Sequence, residues 1–197
     1  MEALPQQSFV MTRKLNLGCG QFHKPGYVNV DHLAVPPPDV KHDLNSLPYP
    51  FTDGEFERIE ADHLLEHLDD PFGVMKEFHR ISKNGAVIHI KVPHFTRGFM
   101  HPEHKRGFDV SFPLYFRPSF KGGYQGCDLK LQKMKLNWFA QPYLKKEYLS
   151  KPAFYVGYLV GAFVSFFANL SPFFCSRFWC YLVGGFEEIE FEFLVVK

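Results

Sequence analysis

The stretch LNLGCGQFHKPGYVNVD, Leu15 to Asp31, constrains this chain more than any other. An apolar strand runs into a Gly-x-Gly turn, and a second short strand closes on an aspartate. Nucleotide-binding α/β domains open in this way, with the turn admitting a ligand to the backbone and the acid meeting a ribose. Here, however, Asp31 follows Gly20 by only eleven positions, and Pro25-Gly26 and a strand lie between them. A crossover helix does not fit comfortably in that space. A dinucleotide needs its pyrophosphate on a helix N-terminus and a third glycine so that the helix can pack, and neither is in register. The expected ligand is one without phosphates.

The remainder of the first half supports an α/β reading. Strand-like pieces at Lys14–Leu17, Tyr27–Val30, Asp39–His42 and Phe56–Ala61 precede a helix that Asp70 can cap. Pro71 suits the first helical position, and Phe72, Met75, Phe78 and Ile81 recur at helical spacing. Asn84-Gly85 should stop that helix, and Ala86 to Val92 should form a strand ended by Pro93. In the second half, Leu129 to Phe139 alternates lysines with apolar residues. EEIEFEFLVVK at the C-terminus sets Ile189, Phe191 and Phe193 on one face and acids on the other, as in a half-exposed antiparallel strand. Strands alternating with helix-like pieces predict a mainly parallel sheet.

Bulk properties limit the alternatives. A chain of 197 residues suits one domain, 46% hydrophobic content excludes a disordered one, and a net charge of +1 implies no nucleic-acid partner. Cys19, Cys127, Cys175 and Cys180 have neither disulfide-framework nor zinc spacing, so reduced thiols in the cytoplasm are expected. MEALPQQSFVMTRK lacks the pattern of a signal peptide. Neither a linker nor an internal repeat is evident. The domain divides into a cofactor-binding half (14–93), an acceptor or cap region (94–187) and a final strand (188–197).

Read in order, LNLGCG, NVD, HDLNSLPYPF, ADHLLEHLDDP and HRISKNGAVIHIKVPH resemble the class I S-adenosylmethionine-dependent methyltransferases, in particular small bacterial and archaeal types with a short first crossover, often associated with glycans. The resemblance covers Lys14 to about His104. It implies a Rossmann-like sheet of seven strands, mainly parallel with an antiparallel last strand, a reduced first helix and an aromatic-rich insertion before that strand. It also implies S-adenosylmethionine as cofactor, a ligand whose charge resides in a sulfonium and an amino acid group. Gly18, Cys19 and Gly20 would lie under its methionine moiety, and Asp31 would accept both ribose hydroxyls. His32 would flank the sugar or the adenine, Asp43 with the Leu44 backbone would read the adenine, and Asp62 would lie near the methionine end. Asn16 departs from the pattern, standing where the family usually has an acid.

Methyl transfer is an in-line displacement in which positioning counts heavily, and a hydroxyl acceptor also needs a base. The loop after the fifth strand, PHFTRGFMHPEHKRGF, offers His94 and His104 as candidate catalytic bases. Proline between His101 and His104 makes a helical metal site poor, and no metal is expected.

From Pro152 to Ser176 there is no charged residue, whereas Lys121 to Lys151 holds seven lysines. Residues 152–183 could form a cap, a homodimer contact or a membrane-surface element, and Gly157 with Gly161 has a spacing suited to helix packing. The acceptor is left open between a small molecule and a saccharide or lipid-linked molecule. The competing class is a non-catalytic binding or scaffold protein that kept the fold.

Overall fold

The computed structural model describes residues 13–98 and 101–197, so the reading of the extreme N-terminus lies outside the described residues. Seven strands form one sheet: β1 Arg13–Leu17, β2 Val28–Asp31, β3 Val40–Lys41, β4 Phe56–Asp62, β5 Ser82–Pro93, β6 Asp128–Asn137 and β7 Glu188–Val196. Their order is β3-β2-β1-β4-β5-β7-β6. β1 to β5 pair in parallel, while β7 runs antiparallel to both β5 and β6. This is the mainly parallel seven-stranded sheet with an antiparallel last strand that the resemblance implies.

Helix α1 spans Pro71–Ile81 and starts as its sequence dictates, with Asp70 Oδ1 accepting the Gly73 N–H at 2.9 Å. Met75, Phe78 and Ile81 are fully buried, against a core that includes Leu15, Leu17, Ile59 and Ile88. Its end differs from expectation. The helix stops at Ile81, Ser82 is already extended and pairs with Phe56, and Asn84-Gly85 falls in an irregular part of β5 instead. Gly85 (φ +78°) turns the bulging strand, not the helix end.

One face of the sheet is apolar, built by alternate residues such as Leu15, Leu17, Ile59, Ala61, Ile88, Ile90, Phe191 and Phe193. The opposite face carries Asn16, Arg58, Glu60, Asp62, His89, Lys91 and Glu190. Parallel sheets are usually covered by helices on both sides and read apolar throughout. Here no helix lies in either the β1–β2 or the β2–β3 connection, so that face stays polar. The expected reduced first helix is absent, and the segment from Gln21 to Gly26 folds back as a loop.

The loop explains Asn16. Its amide nitrogen donates to the Phe22 carbonyl (3.0 Å) and to Asn29 Oδ1 (2.9 Å), and Asn29 Oδ1 also takes the Lys24 N–H (2.8 Å). Asn29 Nδ2 in turn donates to Asp39 Oδ2 at 2.9 Å. A carboxylate at position 16 could donate to neither acceptor, so the short crossover requires the amide.

After β6 come α2 (Pro142–Tyr148) and α3 (Lys151–Ala168), then a helical segment over 172–182, here α4, with a π-helical turn at Cys175–Trp179. α3 is bound to β6: Trp138 N–H donates to Ser165 Oγ (2.9 Å), and the Asn169 amide brackets Leu136. Gly157 and Gly161 serve this contact, not a helix pair. A Cβ at Gly161 would lie 2.4 Å from the Phe139 Cβ, so the glycines admit the Phe139 ring.

Candidate active site

The turn after β1 has the conformation its glycines permit, with Gly18 at φ +64° and Gly20 at φ +47°. A Cβ at Gly20 would meet nothing within 4 Å, so this side is open, whereas one at Gly18 would press on Leu64 Cδ1 at 3.0 Å. The Gly18 and Cys19 N–H groups are both tied to the Val30 carbonyl, which fixes the turn against β2. Asp31 stands at the end of β2. Its Oδ2 accepts the Gly20 N–H and its Oδ1 the Leu33 N–H, each at 2.9 Å. The carboxylate is thus oriented, and each oxygen keeps a further lone pair. Burial, followed by the field of Asp31, raises the Cys19 thiol to about 11, so Cys19 is neutral and structural in character.

A cleft of about 830 Å³ opens beside this turn, on the polar face of the sheet. Gly18, Cys19, Gly20 and Asp62 line it. Asp31, His32, Asp43 and Leu44 do not; they lie at or beyond the ends of β2 and β3. Asp43 Oδ1 accepts the Asn45 N–H at 3.0 Å, and the Leu44 carbonyl takes the Tyr49 hydroxyl at 3.0 Å, so this pair forms an anchored turn.

The cleft also contains residues that sequence reasoning missed. Lys24 bonds Glu60 Oε2 at 2.6 Å and approaches Asp62 at 3.5 Å, while Lys91 meets Asp62 at 3.4 Å. Burial works against ionisation of Glu60, yet the bonds from Lys24, Arg58 and Tyr27 hold its carboxyl down at about 2. His63 sits just past β4 at φ +53°, an uncommon conformation for a non-glycine residue. Its Nε2 bonds Glu188 Oε2 (2.7 Å) and its Nδ1 Glu66 Oε1 (3.2 Å). Burial disfavours charge on this ring, but the two carboxylates overrule it and raise its pKa to about 9. His63 is therefore an imidazolium near neutral pH, a donor and not a base. The position next to Asp62 was the one available signal for it. Glu188 and Asn137, bonded to each other at 2.7 Å, come from β7 and β6 and carry no signal in the sequence.

Neither histidine expected as a base lines the cleft. His94 is fully buried, with Nδ1 on Thr96 Oγ1 (2.7 Å) and Nε2 on Ser176 Oγ (2.8 Å), joining the end of β5 to α4. His104 Nδ1 bonds the Gly98 carbonyl at 2.6 Å, and its ring packs among His67 and His101. Burial lowers the His94 pKa from 6.5 to about 4. The unfolded chain therefore takes up a proton below pH 6.5 that the native state refuses until about pH 4. Stability should fall by up to about 3 kcal/mol as pH drops through that window and level off below it. His94→Gln should flatten the slope, as read from urea unfolding at stepped pH; an unchanged slope would rule His94 out as its source.

Comparison with known proteins places this geometry. Residues 24–90, from the crossover loop into β5, match the profile of the family described as "Methyltransferase domain". That segment holds Asp31, His32, Asp43, Leu44 and Asp62 but not the glycine turn. No curated protein matches the sequence. Among solved structures, the fold is similar to a SAM-dependent methyltransferase from Archaeoglobus fulgidus (TM-score 0.55, 17% identity, 94% of this chain and 87% of that one). It is also similar to the YcgJ protein of Bacillus subtilis (TM-score 0.55, 13% identity, 94% and 92%). A third is the geranyl diphosphate C-methyltransferase of Streptomyces coelicolor, solved with S-adenosyl-L-homocysteine (TM-score 0.53, 10% identity, 95% and 72%). At these identities the likeness is one of fold.

Proposed function

We propose that this chain is a class I S-adenosylmethionine-dependent methyltransferase, a reading supported by the profile match over residues 24–90 and by the fold likeness, and that its methyl acceptor is a lipid or lipid-linked saccharide reached at the cytoplasmic surface of a membrane. The observation that carries this reading is the continuity of the cleft. A groove of about 580 Å³ between β6 and α3 shares Lys135, Asn137 and Phe139 with it, and continues to Tyr158, Phe166 and Leu170. A ligand with a polar head and an apolar tail would fit head inward, among the charged residues of the sheet, with its tail along α3.

The outer surface of α3 and α4 supports the same reading. Tyr155, Leu159, Phe163 and Phe166 on α3 and Phe178 and Leu182 on α4 are each more than 60% exposed. A patch of this kind marks a docking surface. α3 is long and apolar enough to cross a membrane and only 17% of it is buried, but its side is bonded to β6. Both β6 and β7 belong to one sheet, so the helix lies along a surface and does not span it. Lys133 and Lys135 of β6 line the groove beside α3, and Lys146 of α2 lies 5.4 Å from the centre of the Phe154 ring; an anionic leaflet attracts each such charge with roughly 1 kcal/mol.

The cofactor fits the residues present. The open glycine turn would lie under its methionine moiety and the oriented Asp31 would hold its ribose, while Lys24, Lys91 and Asp62 offer both signs of charge to an amino acid zwitterion. Bound there, S-adenosylmethionine supplies an electrophilic methyl group on a sulfonium. His63 would orient Glu188 and stabilise negative charge at the mouth of the groove.

Intact protein should co-sediment with anionic phospholipid vesicles, and Leu159→Glu/Phe163→Glu should weaken that binding at least about 10-fold, since each buried side chain contributes on the order of 2 kcal/mol. With methyl-labelled cofactor, the label should enter organic-extractable material. Failure of the intact protein to sediment, with label passing only to water-soluble acceptors, would discard the lipid reading.

A further inference from the structure

The LLEHL turn after β4 and the HPEHKRGF loop after β5 are far apart in sequence, and the fold brings them together. The Lys105 N–H donates to the Glu66 carbonyl at 2.9 Å, which docks one on the other. At the junction, ligand-capable atoms of Glu66, His67 and His104 all lie within 4.8 Å of one another. We propose that these three side chains bind one zinc ion, which fastens the loop after β5 to the end of β4 beside the cleft.

Three observations carry this. The Glu66 side chain is completely buried, and its Oε2 has no hydrogen-bond donor among the described residues. A buried carboxylate oxygen left without a donor is costly even when the other oxygen of the group is paired. Its partner Oε1 is already taken by His63, so Oε2 is the free ligand. Secondly, the His104 Nδ1–H donates to the Gly98 carbonyl at 2.6 Å. This fixes the tautomer and leaves the lone pair on Nε2, as in metal-binding histidines held by a backbone carbonyl. Nε2 itself stands 3.9 Å from Oε1 of the Glu66 carboxylate, beyond hydrogen-bond range. Finally, His67 packs edge-on to His104 with ring centroids 4.9 Å apart, and His101 stacks on His104 at 4.8 Å. A water can fill a fourth position.

Two imidazoles and one carboxylate are a zinc donor set, with zinc–ligand distances of about 2.0–2.2 Å. Ligand atoms around such an ion stand roughly 3.3 Å apart, so closing from 4.8 Å needs side-chain shifts of about an ångström. The expectation from sequence that no metal binds rested on the poor helical presentation of His101 and His104 and on the want of a further ligand set; Glu66 and His67 come from another loop.

The test uses full-length protein stripped with a chelator, refilled with zinc chloride and followed by calorimetry and elemental analysis. The expected result is one equivalent bound at micromolar affinity or better, weakened at least about 100-fold in both Glu66→Gln and His104→Ala. Cobalt loading of the wild type provides a second readout that needs no variant, through the intense visible bands of a four-coordinate site. No stoichiometric zinc in folded wild-type protein, or variants that bind like the wild type, would overturn the proposal. Cobalt spectra of an octahedral hydrated ion would do the same. None of these outcomes depends on methyl transfer.

Discussion

Asp31→Ala will bind S-adenosylmethionine at least about 100-fold more weakly than the wild type in a calorimetric titration. Hydrogen bonds to a charged group are worth roughly 1.5–3 kcal/mol each, and a ribose diol offers two, against about 2.7 kcal/mol for a 100-fold change. The same carboxylate also holds the Gly20 and Leu33 N–H groups, so the substitution loosens the turn that receives the ligand. Circular dichroism of the variant separates that loss from unfolding. A folded Asp31→Ala protein with unchanged affinity would mean that the cofactor does not place its ribose at the end of β2. Binding to S-adenosylhomocysteine should fall in parallel, because the two ligands share the nucleoside.

Asn16→Asp will be destabilised by about 3–5 kcal/mol, seen as a large drop in the urea midpoint. The position is buried, and both of its partners, the Phe22 carbonyl and Asn29 Oδ1, are acceptors. An aspartate would set a carboxylate against two oxygens with no donor of its own, and an uncompensated buried charge costs several kcal/mol. Asn16→Leu, which removes the donor without adding charge, should cost less. Near-wild-type stability of Asn16→Asp would show that the amide does not hold the crossover. The result matters because an acid at this position is what the resemblance to the family would favour. The loop that replaces the first helix has traded that acid for a donor, and places Lys24 over Glu60 and Asp62.

The elements most legible in advance were those with strong local signals. The capping of α1 by Asp70, the antiparallel alternation of β7 and the Gly18–Gly20 turn all follow from residues within a few positions of one another. Errors arose where local signals competed. Asn84-Gly85 reads as a helix stop, yet the pairing of Ser82 with Phe56 ends α1 earlier and leaves the glycine in a strand bulge. Gly157 and Gly161 read as a helix-packing pair, yet the partner is the Phe139 ring. In both cases a contact distant in sequence outweighed the local pattern.

The sequence by itself determined that the sheet is mainly parallel and that no phosphate-binding helix follows the first turn, and it pointed to a ligand without phosphates, because these depend on spacing and turn chemistry. Only the tertiary structure decided what stands around that ligand. His63 gains its charge from Glu66 and Glu188, and Glu188 lies 125 positions away. The groove to α3 exists because β6 and β7 close the sheet beside β5. Glu66, His67 and His104 meet because two loops leave neighbouring strands on the same edge. Charge, cleft and metal ligands are properties of groups in contact, and contact between distant segments is set by the packing of the sheet.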